Sequence, residues 1–168
     1  MTSARQPAAS KTPLTRGTPM SLGGCESSGT PTPAVPAEIV LLVLDSTVLI
    51  DYLRGRPVVA RVRSLRSSGD VPATTAVNVE EVVRGLGPTE VHLARRLFRG
   101  LVVLEIDQAV GWRAGLWRQA FAVSGTTLAQ ADCLIAAAAV HHQGVLCTGN
   151  PTDFPMADLT VQHWVVGE

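Results

Sequence analysis

The residues best suited to do chemistry are acids that lie close to strongly apolar segments of the sequence. Asp45 comes directly after the apolar run 39–44, and Asp153 follows the apolar run 145–148. Glu81 lies on a predicted helix after a short strand, and Asp132 lies early in the helix that leads into the run 145–148. Functional groups of open α/β sheets collect at the carboxyl ends of the strands, so we expect these four carboxylates to converge.

Carboxylates that share one crevice repel each other, and a cation is the simplest way to keep them ionised together. At about 4 Å, each like-charge pair costs on the order of several kcal/mol at an effective dielectric constant near 20. Mg²⁺ prefers oxygen ligands and usually takes one or two protein carboxylates directly. Such a metal activates water and neutralises charge on a phosphodiester. The acids therefore indicate metal-dependent hydrolysis of a phosphodiester.

Each acid also has an interpretation without catalysis. Asp45 could cap the helix that follows it, and Asp132 could be a first-turn acid favoured by the helix dipole. Glu81 could complete a capping box with Asn78. Asp153 could be a turn residue. These alternatives stay open at the level of sequence.

The other acids are predicted to be surface charges. Glu80 is expected to face solvent and to pair with Arg84 at the i,i+4 spacing. The remaining predicted surface acids are Asp51, Asp70, Glu90, Glu105 and Asp158.

Several other chemistries find no support. The one lysine is Lys11, which lies outside the predicted domain, so a haloacid-dehalogenase-type phosphatase or a receiver domain would lack its lysine. Cys25, Cys133 and Cys147 form no C-x-x-C pair, which argues against a structural zinc site. We expect Cys133 and Cys147 to be core residues in a reducing compartment. A formal net charge of zero argues against a purely electrostatic nucleic-acid coat protein.

Strand and helix patterns alternate along the chain, which predicts an α/β fold with a central parallel sheet of four to five strands flanked by helices. The predicted strands are 39–44, 71–74, 101–106, 145–148 and an edge strand 159–164. The predicted helices are 46–53, 58–67, 75–86, 89–99, 107–123 with Asp107 as N-cap, and 127–142.

The first 37 residues differ from the rest in composition. They are rich in Pro, Ser, Thr and Gly, so we predict a disordered tail over 1–37 and one domain over 38–166. No segment approaches the roughly 20 apolar residues of a membrane span, and no apolar core of a secretion signal is present near residue 1. We therefore expect a cytoplasmic protein without membrane contact.

Four local motifs together resemble the PIN-domain family, and most closely its VapC branch. The segment 44–53 resembles the opening strand, aspartate and short helix of that family, and 81–85 resembles its E-[LV]-x-x-G element. The segment 131–137 resembles its D-x-x-I-A-A helix, and 148–154 resembles its T-x-N-x-x-D-F turn. The resemblance covers roughly residues 39–165 and favours Glu81 over Glu80.

The resemblance implies roles for particular residues. Asp45 and Asp132 would be direct metal ligands, and Glu81 and Asp153 would bind the metal directly or through water. Asp45, Glu81, Asp132 and Asp153 would together be the catalytic acids. Thr47, Thr148 and Asn150 would support them as hydrogen-bonding groups.

The resemblance also implies a function. The chain would be the toxic component of a type II toxin–antitoxin system, a Mg²⁺-dependent endoribonuclease that hydrolyses RNA with a water activated by the metal; Mn²⁺ could replace Mg²⁺. Its partners would be RNA, a cognate VapB-type antitoxin and a second copy of itself in a homodimer. The alternative is a degenerate PIN-fold module that binds RNA or a partner without catalysis.

Arginine and tryptophan side chains could extend the predicted site. The arginines of segments 54–66 and 84–99 either contact phosphate or form a solvated helix face, and the second interpretation is favoured. Trp112 and Trp117 share a predicted helix, where packing in the core or in a dimer is favoured over stacking on a base.

Overall fold

The structure, a computed structural model, describes residues 39–167. The predicted disordered tail over 1–37 lies outside these residues, as do Lys11 and Cys25. The domain start at residue 38 therefore stays a prediction.

Five strands alternate with helices in the chain order that the sequence predicts. The strands are β1 (Leu41–Leu44), β2 (Val71–Thr75), β3 (Val102–Leu104), β4 (Val145–Thr148) and β5 (Val161–His163). The helices are α1 (Ser46–Leu53), α2 (Val58–Ser68), α3 (Ala76–Arg84), α4 (Val91–Phe98), α5 (Gln108–Val123) and α6 (Gln130–His141), and a 3₁₀ turn covers Pro151–Asp153.

The strands form one parallel sheet in the order β3-β2-β1-β4-β5. β1 is central and pairs with β2 and β4, with Leu42 opposite Val145. β5 lies at one edge, as predicted for the last strand. Because β1 and β4 are parallel neighbours, the residues that follow them, Asp45 and Gly149, leave the sheet on the same side.

Apolar side chains cover both faces of the sheet, which confirms the predicted fold class. Successive residues of β1 enter different clusters: Val43 packs in the cluster that includes α5 and α6, whereas Leu42 and Leu44 pack in the cluster of α1 and α2. This alternation is the two-residue period of a strand that is buried on both sides. The small residues of Ala136–Ala139 are fully buried, which lets α6 pack closely on the sheet.

Local capping explains where α3 begins. The sequence predicts a helix from Thr75, but Thr75 ends β2 and serves as N-cap. Its side chain accepts a hydrogen bond from the backbone N–H of Asn78, whose side chain bonds back to Thr75. The helix predicted over 127–142 starts later, at Gln130. The predicted N-cap Asp107 is confirmed, since its Oδ1 accepts from the Val110 N–H at 2.9 Å.

The prediction that Asp51 is a surface acid is wrong. Asp51 is 5% exposed and lies in α1, where its carboxylate faces Arg56 and the backbone of Gly167. Over residues 39–167, no helix is long and apolar enough to cross a membrane.

Candidate functional site

Asp45 is the best-fixed acid at the carboxyl end of the sheet. It lies between β1 and α1 and is 5% exposed. It occupies the N-cap position of α1, as the alternative interpretation expected, but its side chain makes no capping hydrogen bond. Its Oδ2 accepts hydrogen bonds from the hydroxyls of Thr47 and Thr148, each at 2.8 Å, and its Oδ1 accepts from Asn78 Nδ2 at 3.3 Å. Three donors offset part of the cost of burying the carboxylate.

Glu81 reaches the same place from α3. Its Oε2 accepts a 2.5 Å hydrogen bond from the Ser46 hydroxyl. The alternative capping box with Glu81 is wrong, because Asn78 forms the box with Thr75. Glu80 points elsewhere: it is exposed and lies 3.9 Å from Arg84, as predicted.

Asn78 is a site residue that the sequence did not indicate. It is fully buried, and its amide donates to Asp45 Oδ1 at 3.3 Å and to Ser46 Oγ at 3.0 Å. Its Oδ1 accepts from the backbone and hydroxyl of Thr75, which fixes the amide with its NH₂ group toward the acids. The available signal was its position three residues before Glu81, which puts both on one helix face.

Asp132 stands opposite with no comparable support. It lies in the first turn of α6, and no described residue donates a hydrogen bond to its carboxylate. Burial first, and then repulsion from Asp153, Asp45 and Glu81, raises the pKa of Asp132 to about 6. Asp153, Asp45 and Glu81 are thus close enough to Asp132 to influence its charge.

The turn after β4 brings the predicted supporting residues to the site. Thr148 is fully buried and accepts the Asn150 N–H at 3.1 Å in addition to its bond to Asp45. Thr47 Oγ1 accepts the Gly149 N–H at 3.0 Å. Asn150 and Asp153 are exposed, and the Asp153 N–H bonds to the Asn150 carbonyl in the 3₁₀ turn.

The donor set suits a hard cation held by few direct ligands. All of the site's acids offer oxygen, which Mg²⁺ and Mn²⁺ accept. Within 39–167, no three Asp, Glu, His or Cys side chains lie close enough to hold one ion together. A cation here would therefore bind one or two carboxylates and keep several waters, as Mg²⁺ commonly does. Burial raises the pKa of the Cys147 thiol to about 12, which keeps it protonated at neutral pH.

Two of the arginines near α1 and α2 have partners in the fold. Arg56 lies 3.5 Å from Asp51, and the Arg61 guanidinium lies 4.0 Å above the ring of Trp164. The two tryptophans of α5 differ: Trp117 packs on the core, as predicted, whereas Trp112 is 70% exposed and is not a core residue.

Comparisons with known proteins agree with this architecture. The family model described as PIN domain matches residues 42–155. Ribonuclease VapC11 of Mycobacterium tuberculosis is 30% identical over 108 residues, which are 61% of this chain and 81% of that protein. A chain of the DNA-bound VapBC structure from Salmonella typhimurium has a TM-score of 0.66 at 21% identity, over 75% of this chain and 99% of that chain. VapBC-1 from nontypeable Haemophilus influenzae gives a TM-score of 0.64 at 21% identity, over 74% and 98%.

Proposed function

Because this chain belongs to the PIN domain family and is similar to VapC ribonucleases, we propose that it is the toxin of a type II toxin–antitoxin pair. Its activity would be endonucleolytic hydrolysis of RNA that depends on Mg²⁺ or Mn²⁺. The observation that carries this proposal is the convergence of Asp45, Glu81, Asp132 and Asp153 on one side of the sheet, where burial and then repulsion from the other three acids raise the pKa of Asp132 to about 6. Perturbed carboxyls of this kind are typical of functional sites.

The residues that would hold the cation follow from this arrangement. Asp45 and Asp132 are the proposed direct ligands. Glu81 and Asp153 would bind through water, because no three Asp, Glu, His or Cys side chains within 39–167 lie close enough to hold one ion together. A bound divalent cation supplies Lewis acidity for water activation and offsets the phosphodiester charge.

The remaining groups orient the reaction. Thr47 and Thr148 hold Oδ2 of Asp45 in place, while Asn78 holds Oδ1. Glu81 or Asp153 would accept the proton of the attacking water, and Ser46 orients Glu81 through Oε2. Asn150, on the exposed turn, would orient a substrate phosphate. Attack of water on phosphorus, with cleavage of the P–O3′ bond, would leave a 5′-phosphate and a 3′-hydroxyl.

A VapB-type antitoxin is the proposed protein partner. A groove of about 740 Å³ between α1, α2 and α4 is lined by apolar side chains together with Arg63 and Arg96. It suits an amphipathic antitoxin segment that carries acidic side chains. For the proposed homodimer, α5 offers an apolar face with Trp112 70% and Leu116 51% exposed.

The decisive experiment measures cleavage of total RNA in Mg²⁺ by the parent, Asp45→Asn and Asp132→Asn. We expect both variants to lose about 100-fold or more in rate, because each removes a ligand charge that stabilises the transition state. Glu80→Gln is the matched control, since this exposed acid faces away from the site. EDTA should abolish cleavage, and sequencing of the ends should find 5′-phosphates.

Co-expression with the small protein encoded upstream should suppress these cuts. Equal cleavage by parent and both Asn variants would show that the nuclease proposal is wrong. A chain that binds RNA but never cuts it would instead be the non-catalytic module.

A further inference from the structure

The residues after β5 cross back over the carboxyl end of the sheet and touch the turn of the candidate site. We name Trp164–Gly167 the C-terminal strap. Its first residue is 1% exposed, and the Trp164 N–H donates to the carbonyl of Thr148 at 2.9 Å. Arg61 covers the outer side of the indole ring at 4.0 Å. The strap is therefore tied to the strand whose last side chain supports Asp45.

Val166 of the strap leaves no space for a side chain at position 149. A Cβ built on Gly149 would overlap Cγ2 of Val166 and would lie 3.0 Å from its Cγ1. Gly149 has an ordinary negative φ, so the requirement for glycine comes from this contact and not from the backbone. The same glycine donates its N–H to Thr47 Oγ1, and Thr47 donates to Asp45.

A buried carboxylate holds the end of the strap. Asp51 Oδ2 accepts the Gly167 N–H at 2.5 Å, and Oδ1 lies 3.5 Å from Arg56 Nε. Asp51 is 5% exposed, so its charge is desolvated in a place where an apolar residue would pack at no such cost. A role of Asp51 in fixing the position of the strap would account for this unfavourable desolvation.

We propose that the C-terminal strap positions Asp45, one of the two proposed metal ligands. Asp51 anchors Gly167, Val166 then presses on Gly149, and the Gly149 N–H stays on the Thr47 hydroxyl that faces Asp45. Asp51, Gly149 and Val166 are thus positioning residues, which act on the acids through Thr47. The consequence for catalysis rests on the proposed function, whereas the positioning itself does not.

The first test is a rescue experiment. Gly149→Ala should lower kcat about tenfold or more and weaken Mn²⁺ binding, measured by calorimetry, while KM for RNA changes little, because misplaced groups lose rate and not substrate affinity. Val166→Ala removes both methyl carbons that the new Cβ meets and leaves only the Cβ of that residue, 3.2 Å away, so the double variant should recover most of the activity of Val166→Ala alone. Gly115→Ala is the matched control, since a Cβ there meets nothing within 4 Å.

The second test needs neither activity nor metal. Hydrogen exchange of the Gly149 N–H, measured by NMR on the metal-free protein, should be about tenfold faster in Asp51→Ala than in the parent, while the central-strand N–H of Val43 is unchanged. Asp51→Asn retains an acceptor for Gly167 and should show a smaller effect. Exchange in Asp51→Ala and Asp51→Asn therefore tests the positioning role of the strap even if Gly149→Ala does not fold.

Two results would overturn the positioning role: a double variant no better than Gly149→Ala, or Gly149 exchange in Asp51→Ala equal to that of the parent. A parent that cleaves no RNA would refute only the proposed function. The exchange and Mn²⁺ measurements would then still decide the role of the strap.

Discussion

Asp45 and Asp132 lie close enough for Asp45 to raise the pKa of Asp132, but the fold treats the two acids in opposite ways. Asp45 is buried and accepts hydrogen bonds from Thr47, Thr148 and Asn78. Asp132 is half-buried, accepts no hydrogen bond from a described residue, and has its pKa raised to about 6 by burial and by the neighbouring carboxylates. One acid is fixed by the protein, and the other is left with unbalanced charge.

This difference indicates a division of labour. A carboxylate with fixed donors keeps its orientation whether or not a ligand is bound, so the Asp45 side is preorganised. The Asp132 side costs free energy until something positive arrives. A bound cation would therefore offset the charge repulsion mainly at Asp132. The fixed orientation of the Asp45 carboxylate would set the position of the cation.

The largest predicted effect on stability comes from placing a second negative charge beside Asp45, so that Asp45 experiences charge repulsion as Asp132 does. Asn78→Asp replaces the donor 3.3 Å from Asp45 Oδ1 by a carboxylate at a fully buried position. An uncompensated buried charge should lower the free energy of unfolding by about 3–5 kcal/mol at pH 7, measured in urea. Asn150→Asp, at an exposed position of the same site, should cost far less. A small loss in Asn78→Asp would mean that Asp45 does not depend on this donor.

A smaller effect is expected when one hydroxyl on the Asp45 side is removed. Thr148→Val deletes the 2.8 Å donor to Asp45 without changing the shape of the side chain. Loss of a hydrogen bond to a charged group should cost about 2 kcal/mol of stability and should weaken Mn²⁺ binding.

Thr74→Val is the matched control for this prediction. Thr74 is equally buried in β2, on the other side of β1, but its hydroxyl donates to the neutral carbonyl of Leu44 at 3.1 Å. It should lower stability by about 1 kcal/mol and leave Mn²⁺ affinity unchanged. Equal Mn²⁺ affinities in both variants would contradict a preorganised Asp45.

The contrast also shows what sequence can and cannot predict. Asp45, Glu81 and Asp132 were identified because strand ends and motif spacing are local properties of the chain, and the parallel α/β fold follows from the alternation of elements. The supporting residues Thr47 and Thr148 were also predicted, from the motifs that contain them. Asn78 and Asp51 were not, because they acquire their roles from residues 33 and 116 positions away along the chain. Asp51 has the surroundings of a surface acid in sequence, and only the return of the strap buries it.

The exposure of Trp112 has a similar cause. A tryptophan on an amphipathic helix is usually turned toward the core, but here Val110 and Ala114 occupy the core face of α5. Which face of α5 packs on α6 is decided by the whole fold and not by the aromatic residue alone.

The smallest predicted effect is also the most direct test of the unbalanced side. The Asp132 carboxyl has a pKa of about 6 in the folded protein against an ordinary pKa of 3.8, so the folded state binds the proton more tightly than the unfolded chain. The ionised side chain therefore lowers the free energy of unfolding above pH 6, and this effect disappears below about pH 4.

The variant Asp132→Asn, which carries no charge at either pH, tests this expectation. In EDTA it should be more stable than the parent by about 1 kcal/mol at pH 7.5, after allowance for solvent screening of a half-buried group, and no more stable at pH 4. Urea unfolding at the two pH values measures this difference. Added Mg²⁺ should stabilise the parent at pH 7.5, because a ligand that binds only the folded state raises its stability. The difference in stability between Asp132→Asn and the parent should then become smaller. If the variant were less stable than the parent at pH 7.5 without metal, the Asp132 carboxylate would have to be held by the fold as firmly as that of Asp45, and the two sides of the crevice would not differ.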